Sequence, residues 1–396
     1  MLMKLRNPLA ILNRDLRLLF TSNFVGAFGD GLYSFLLPVY IQTSLKATPV
    51  EVGLLYTVLT LCASLTVMIG GVLADRIDRK KVMVFAWALW LPVPIIFSLA
   101  TNWKMTIPAM IFYGCYFSSP ALSAYIVASA DRRFLAQTFT SISAAWWSGY
   151  VFSPSIGGFI ASILGMKIVF WLAFFFYLTA TIILLFIKSQ LPPSTKSASE
   201  VRKSRINFKK LVFWMFFFAA IMFFNVLIRP YIPTFLQDNH GFDSFTIGIL
   251  GSFMFAGSAV LGVMIGKIGD KMGIEKALLT CLFLAGASIY LLQTTNNFVI
   301  LTAIFFFLGT TYTPWALMNA TVSKFVPREI YGRWVAIFQT ASMLSAFIAP
   351  YIGGVLYEIS YSTPFNISAI TSITFAFVML IKLSLSHYWL GENVKS

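Results

Sequence analysis

Apolar runs of similar length alternate with short polar segments along the whole of this chain. A helix needs roughly 20 apolar residues to cross a bilayer core about 30 Å thick. Twelve runs reach that length, and charged or turn-forming residues separate them. The pattern therefore predicts transmembrane helices at 18–41, 51–73, 82–100, 104–128, 136–163, 166–187, 211–237, 245–267, 277–294, 298–322, 333–359 and 364–387.

The composition also indicates a chain that lies mostly in hydrocarbon, because 58% of its residues are hydrophobic and only 11% are charged. Soluble domains carry about 25% charged residues. The polar stretch RNPLAILNRDLR before the first run lacks the features of a cleaved signal peptide, so we expect the N-terminus to stay attached. The predicted fold class is an all-α membrane protein.

Lys and Arg residues are distributed unevenly between the two sides of the predicted bundle. Of the 29 bases, 25 fall in alternate segments that include both termini; the others are Lys46, Lys104, Lys167 and Arg229. Since bases collect in cytoplasmic segments, we predict a multi-pass protein of the cell membrane with both termini in the cytoplasm. The net charge of +15 then reflects topology and contact with membrane lipids. A nucleic-acid partner would need a soluble basic surface, which this chain lacks, so we expect no nucleic-acid partner.

We expect no cofactor and no metal site. Cys62, Cys115 and Cys281 fall inside apolar runs, and we interpret them as small buried hydrophobes. The histidines, His240 and His387, lie at run ends without a partner cluster, which disfavours a metal exporter. The sequence shows no nucleotide-binding glycine loop, catalytic triad or signalling domain. We therefore predict neither an enzyme, nor an ATP-driven pump, nor a receptor.

A segment rich in Ser, Pro and basic residues divides the twelve runs into two sets of six. It has no apolar period and is typical of a flexible linker. We predict an N-terminal bundle at 1–187, a cytoplasmic linker at 188–210 and a C-terminal bundle at 211–396.

Two motifs recur in matching runs of the two halves. Gly71 precedes Asp75 at the end of run two as Gly266 precedes Asp270 at the end of run eight, 195 positions later. A Pro-xx-Gly-Gly pattern begins at Pro154 in run five and again 196 positions later in run eleven. Nearly equal offsets indicate a duplicated six-helix unit, an architecture that carries substrates between its halves.

With these motifs the chain resembles transporters of the major facilitator superfamily over essentially its whole length. The stretch GGVLADRIDRKKV resembles the loop signature between helices two and three of that family. GYVFSPSIGG resembles the helix-five signature of its exporters, Gly-xxx-Gly-Pro-xx-Gly-Gly, with Ser153 in place of the second Gly. GDGLY followed by LP in run one resembles its macrolide and siderophore exporters. The resemblance implies secondary active transport by alternating access, by a monomer.

The repeated acids at the ends of runs two and eight predict a cytoplasmic gate. Asp75 can accept hydrogen bonds from the positive N-terminus of another helix, which the resemblance identifies as run eleven. Arg76 or Arg79 can pair with Asp131, and Asp270 would face the start of run five. Alternatively, the bases of this loop anchor it on the inner leaflet. The predicted gate residues are Gly71, Asp75, Arg76, Arg79, Asp131, Gly266, Asp270, Lys271 and Arg333.

The Pro and Gly residues of runs five and eleven predict a shared hinge or a tight packing seam. Proline removes an intrahelical hydrogen bond, and small residues let helices approach closely. Both features are also ordinary in membrane helices. The residues concerned are Gly149, Pro154, Gly157, Gly158, Pro350, Gly353 and Gly354.

Asp30 is the predicted proton-coupling residue. It lies thirteen positions beyond Arg17, about 20 Å along a helix and therefore near the middle of the bilayer. An ionisable group at that depth is costly and indicates function. Arg229, in the corresponding run seven, is either its ion-pair partner or extends to the outer headgroups.

The remaining polar and aromatic residues of the central runs predict a substrate pocket that is weakly polar and poor in charge. Such a pocket suits bulky amphipathic or weakly cationic compounds, although each aromatic side chain can equally be packing. The candidates are Asn23, Tyr33, Trp146, Trp147, Tyr150, Asn225, Gln237, Tyr312, Trp315, Asn319 and Gln339. We predict proton-coupled export of hydrophobic small molecules, with a facilitator or importer of a metabolite as the alternative.

Overall fold

The computed structural model describes residues 12–131, 134–192, 208–326 and 331–392, and their regular secondary structure is helical throughout. For residues 136, 331–333 and 385–392 it describes the backbone alone. The helices of the first half are α1 (Arg14–Ser34 and Leu37–Thr43), α2 (Pro49–Arg76), α3 (Arg79–Trp90 and Pro92–Leu99), α4 (a 3-10 turn Trp103–Thr106, then Ile107–Tyr113 and Ser118–Ser129), α5 (Leu135–Leu164) and α6 (Met166–Leu185).

The second half repeats this series. Its helices are α7 (Phe208–Ile228 and Tyr231–His240), α8 (Ser244–Met272), α9 (Ile274–Leu291), α10 (Phe298–Leu308, a 3-10 turn Gly309–Tyr312, then Thr313–Phe325), α11 (Tyr331–Ala346 and Ala349–Ile359) and α12 (Thr363–Glu392). Eleven of the described segments are long and apolar enough to cross a membrane. The remaining predicted run, 136–163, is α5, an unbroken helix of 30 residues. The all-α membrane fold predicted from the sequence is confirmed.

Helix boundaries follow from local capping chemistry. The Asn13 side chain accepts a 2.9 Å hydrogen bond from the Leu16 N–H and begins α1. Thr48 and Glu51 form a reciprocal capping box at the start of α2. Asp243 accepts from the Thr246 N–H at 3.0 Å and begins α8. Such caps satisfy the first N–H groups of a helix, which have no intrahelical partner.

The two Pro-xx-Gly-Gly motifs differ in backbone conformation. Pro350 stands in the first turn of the second piece of α11, so the helix is interrupted there. Pro154 lies inside the unbroken α5. An interruption at the predicted hinge is therefore visible in α11 and not in α5.

Equivalent glycines of the two motifs lie close to the backbone of a neighbouring helix. A Cβ added to Gly157 of α5 would lie 1.8 Å from the Leu32 carbonyl oxygen of α1. A Cβ on Gly353 of α11 would lie 2.2 Å from the Leu227 carbonyl oxygen of α7. The glycines are 196 positions apart and their partners 195 apart, so the duplication read from the sequence also describes the packing of these helices.

Two large apolar cores lie within the halves, one formed by residues between 12 and 187 and the other by residues between 211 and 379. A third core joins the halves, because Phe35, Leu36 and Val39 of α1 pack among residues of α7 and α8. Most of the predicted linker, residues 193–207, lies outside the described part of the chain, and the exact domain limits stay a prediction.

The halves touch at one end of the bundle and separate at the other. We call the end that carries Arg76 and Lys271 the basic face, which the sequence predicts to be cytoplasmic, and the other end the opposite face. Near the opposite face, a Cβ on Gly53 of α2 would lie 2.4 Å from the Pro350 carbonyl oxygen, and one on Gly248 of α8 would lie 2.3 Å from that of Pro154.

Toward the basic face the same helices diverge. Among the described residues, nothing lies within 4 Å of where a Cβ of Gly71 or Gly266 would stand. The apolar side chains of Met68 on α2 and Val263 on α8 are 55% and 58% exposed. The closest contacts between the halves therefore lie near the opposite face, and we infer a central cavity that opens at the basic face.

Candidate functional site

Asp30 of α1 lies inside the N-terminal half and is only 2% exposed. Its Oδ1 accepts a 2.6 Å hydrogen bond from the Tyr113 hydroxyl and another from the Tyr177 hydroxyl, and its Oδ2 accepts from the Tyr150 hydroxyl. The Tyr33 hydroxyl lies 2.9 Å from that of Tyr177. We call Tyr33, Tyr113, Tyr150 and Tyr177 the tyrosine shell. Three hydroxyl donors stabilise a carboxylate charge without a cation.

Glycines on both sides of Asp30 allow the neighbouring helices to approach it. A Cβ on Gly29 would lie 2.5 Å from the Phe176 Cβ of α6. A Cβ on Gly31 would lie 1.9 Å from the Ser153 Oγ of α5. Ser153, which departs from the exporter signature, is thus accommodated by a glycine on the facing helix.

Two members of the tyrosine shell were missed by sequence reasoning. Tyr113 comes from α4 and Tyr177 from α6, and both are well buried, at 7% and 0% exposure. Tyr113 packs edge-on against Trp90, with ring centroids 5.4 Å apart. A tyrosine in an apolar run carries no sequence signal of its distant partner. Its need for a buried hydroxyl partner was the available clue.

An aromatic cluster connects the two halves beside the tyrosine shell. Its members are Trp147 and Tyr150 of α5, Phe255 of α8 and Tyr312 of α10. The ring centroids of Tyr150 and Phe255 are 4.8 Å apart, those of Phe255 and Tyr312 are 5.6 Å apart, and those of Trp147 and Tyr312 are 5.8 Å apart. Phe255 was not among the predicted pocket residues. Tyr150 belongs to both groups, so it connects Asp30 to the C-terminal half.

Arg229 lies at the interruption of α7, over the face of Tyr312, with its guanidinium carbon 4.8 Å from the ring centroid. This geometry is a cation–π contact. Within the described part of the chain it forms no salt bridge, so the Asp30–Arg229 pair is not formed in this structure. The side chain lies on Tyr312 instead of extending to the outer rim.

The other predicted pocket residues divide between the centre and the periphery. Asn225 donates 3.1 Å to the Thr311 carbonyl, and Gln339 donates 3.4 Å to the Asn319 amide oxygen, both within the C-terminal half. Asn23 donates to the Leu19 carbonyl in its own helix. The remaining three lie elsewhere. Trp146 is half-buried, with its ring tilted toward that of Tyr150 at 5.7 Å between centroids. Trp315 packs on the C-terminal core, and Gln237 lines a cavity at the opposite face.

A hydrogen-bonded seal closes the cavity at the opposite face. Asp238 of α7 accepts from the Gln42 amide of α1 at 2.9 Å and from the Tyr357 hydroxyl of α11 at 3.0 Å. Glu358, near the end of α11, accepts from the Val50 N–H in the first turn of α2 at 3.2 Å. We call these contacts the outer seal, and sequence reasoning did not single out its acids.

The predicted gate residues surround the open mouth at the basic face. Asp75 and Arg76 at the end of α2 and Asp270 and Lys271 at the end of α8 are all exposed. Their predicted contacts require the basic face to be shut, and the structure holds it open. Asp131 is exposed, and the Arg333 side chain lies outside the described residues.

Arg79 has a different environment from the other predicted gate residues. It is buried, and its guanidinium donates 2.7 Å to the Gln190 side chain and 3.2 Å to the Ala124 carbonyl. Neighbouring Asp78 accepts from the Gln190 and Lys80 N–H groups. In this structure Arg79 therefore fastens the segment after α6 to the N-terminal half.

Asp78 contributes to that anchor as a carboxylate. Burial alone would raise the pKa of the Asp78 carboxyl, but hydrogen bonds from Ser189, Gln190 and Lys80 and the charge of Lys81 hold that pKa below its usual value. The anchor is therefore present at neutral pH and is lost only as the pH falls through the lowered value.

Comparison with protein families gives one match that covers nearly the whole chain. The model described as Major Facilitator Superfamily matches residues 19–243 and 212–391. Multidrug resistance protein 2 of Bacillus subtilis is 23% identical over 387 residues, covering 94% of both chains. The multi-drug resistance efflux pump PmrA of Streptococcus pneumoniae is 24% identical over 383 residues, covering 93% of this chain and 95% of the pump.

Solved structures support the fold. The nucleoside transporter NupG superposes with a TM-score of 0.73 at 14% identity, covering 93% of this chain and 99% of that one. A POT family transporter in complex with 5-aminolevulinic acid superposes with a TM-score of 0.74 at 15% identity, covering 93% and 96%. At such low identity these similarities concern the architecture and not the substrate.

Proposed function

This chain belongs to the major facilitator superfamily, and we propose that it exports hydrophobic or amphipathic small molecules in exchange for protons. Membership makes it a multi-pass membrane transporter of small molecules, not an enzyme. The proposal of export rests on relatives named as multidrug resistance and efflux proteins that match over more than nine-tenths of its length. An aromatic cluster at the cavity centre suits large apolar solutes that need few directional contacts.

The observation that carries proton coupling is the buried Asp30 in its tyrosine shell. An ionised Asp30 accepts hydrogen bonds from three hydroxyls. A protonated carboxyl must donate its own hydrogen, so at least one tyrosine hydroxyl has to turn from donor to acceptor or move away. Tyr150 also packs on Phe255 across the interface. Protonation of Asp30 would therefore alter the hydrogen bonding of Tyr150 and, through its ring, the contact between the halves.

Alternating access then uses the two ends of the α2–α11 pair. At the opposite face, Glu358 at the end of α11 accepts from the first turn of α2. At the basic face, Asp75 at the end of α2 would accept from the first turn of α11 when the halves close there. Exposed contacts of this kind contribute about 1 kcal/mol each, so several must exchange together. Substrate would enter from the basic face and leave after the outer seal opens.

We further propose that the protein works as a monomer in the cell membrane, with lipids around it and both termini in the cytoplasm. The asymmetry of its bases supports this orientation. In that orientation the inferred cavity would open to the cytoplasm, the state in which an exporter takes up its substrate. A metabolite facilitator or importer with the same fold would instead mediate uptake of its substrate into whole cells.

The proposal is tested with Asp30→Asn in proteoliposomes. We expect this variant to lose both substrate efflux driven by a pH gradient and substrate-stimulated proton movement, because an amide cannot exchange a proton. Glu275→Gln is the matched control, since Glu275 in the first turn of α9 pairs with Lys382 of α12 at 3.2 Å, apart from the tyrosine shell and the aromatic cluster. Undiminished proton coupling in Asp30→Asn would remove Asp30 from the mechanism, and net uptake by cells would favour the importer.

A further inference from the structure

The two deep charges of this cavity differ in what a substrate can reach. Asp30 is 2% exposed, and tyrosine hydroxyls occupy both of its oxygens. Arg229 is exposed, and its ring contact with Tyr312 covers one face of the guanidinium. The edge of a guanidinium carries its N–H donors, and stacking on one face leaves them available. The accessible full charge at the centre is therefore positive.

Arg229 is exposed beside the aromatic contact between the halves. Ile228 before it and Tyr231 and Ile232 after it are buried, and the Tyr231 hydroxyl donates 2.6 Å to the Pro350 carbonyl within the closed end. Tyr312 beneath the guanidinium contacts Trp147 of the other half. Arg229 thus lies between the halves, just below the closed end.

Resting on the proposed function, we propose that the central site selects amphipathic organic anions, which bind with an oxyanion on Arg229 and an apolar body against Trp147, Phe255 and Tyr312. A carboxylate or similar group matches the guanidinium edge with two parallel hydrogen bonds. Among the described residues Arg229 has no carboxylate partner that a substrate would have to displace. This reverses the weakly cationic preference that the sequence suggested, because Asp30 is covered and Arg229 is not.

The charge of the entrance agrees with this selection. Arg76 and Lys271 are exposed at the basic face, to which the sequence analysis assigns 25 of the 29 bases. A cleft lined by one sign of charge concentrates ligands of the opposite sign. Exchange of an outward-moving anion for one inward-moving proton transfers net charge across the membrane. Export would therefore be driven by the membrane potential as well as by the pH gradient.

The test is a binding measurement on the purified full-length protein with three probes that share one ring system: 2-naphthoate, 2-naphthamide and 2-naphthylmethylammonium. We expect wild type to bind the carboxylate most tightly. Arg229→Gln should weaken carboxylate binding about 10- to 100-fold, the range for a lost hydrogen bond to a charged group. Binding of the amide should hardly change. Arg229→Lys keeps the charge without the bidentate edge and should recover part of the loss, which separates charge recognition from misfolding.

The outcomes separate this inference from the proposed export. Preference of wild type for the ammonium probe, failure to bind any of the three, or equal carboxylate binding by Arg229→Gln would overturn the inference and leave proton-coupled export standing. Arg229-dependent carboxylate binding without proton-coupled flux of any probe in proteoliposomes would overturn the export proposal and leave the charge selection standing.

Discussion

The side chains that contact each charged residue decide whether a solute in the cavity can reach it. Asp30 has the depth that marks a functional acid, but its hydroxyl partners from α4, α5 and α6 decide that it is hidden from solutes. The sequence predicts Asp30 because one acid in an apolar run is conspicuous. It does not predict Tyr113 or Tyr177, because their partner lies 83 and 147 positions away and no local pattern relates them.

Tyr150→Phe separates the two roles of Tyr150. The variant keeps the ring that packs on Phe255 and removes the hydroxyl that donates to Asp30. We expect substrate affinity within about twofold of wild type, since an aromatic contact is retained, and a marked loss of substrate-stimulated proton movement in proteoliposomes. Tyr40→Phe is the control, because its hydroxyl donates to the Phe97 carbonyl outside the shell. Full proton coupling in Tyr150→Phe would show that this hydroxyl does not transmit the protonation.

Helices are the scale at which the sequence predicts best. Run length predicted all twelve helical segments, because a bilayer imposes one length on every span. The sequence predicts helix interruptions less well. Pro350 breaks α11, whereas Pro154 in the matching motif leaves α5 continuous. A proline removes one hydrogen bond, but packing of the surrounding helix decides whether the axis breaks. Here α5 packs closely along both α1 and α8, through Gly157 and Gly158.

The packing seam can be tested at equivalent glycines of the two halves. Gly157→Ala and Gly353→Ala each place a Cβ within 2.2 Å of a backbone carbonyl of a neighbouring helix. We expect each to lower the free energy of unfolding by about 1–3 kcal/mol, because the helices must move apart. Gly262→Ala in α8 is the control, since its nearest neighbour would be 3.9 Å away. Thermal unfolding in detergent measures the difference, and equal stability of all three variants would contradict a tight seam.

The whole molecule is a pair of duplicated bundles that meet at one end. Two motifs that recur after nearly the same number of residues predicted the duplication. The contacts of Gly157 and Gly353 show the same repeat in the structure. The conformational state could not be predicted from the sequence. Asp238 and Glu358 lie near the ends of their helices, where acidic residues are usually solvent-exposed. They join α1, α2, α7 and α11 only because the halves tilt together there.

The central claim is that the outer seal and the predicted gate at the basic face alternate. Its most direct test is a pair of spin-label distances in the full-length protein in lipid nanodiscs, one across each face of the bundle. The seal is weakened by the double variant Asp238→Asn and Glu358→Gln, with Glu275→Gln as the control. We expect the distance across the opposite face to lengthen and the distance across the basic face to shorten together in the double variant alone. Unchanged distances, or lengthening at both faces, would contradict the account.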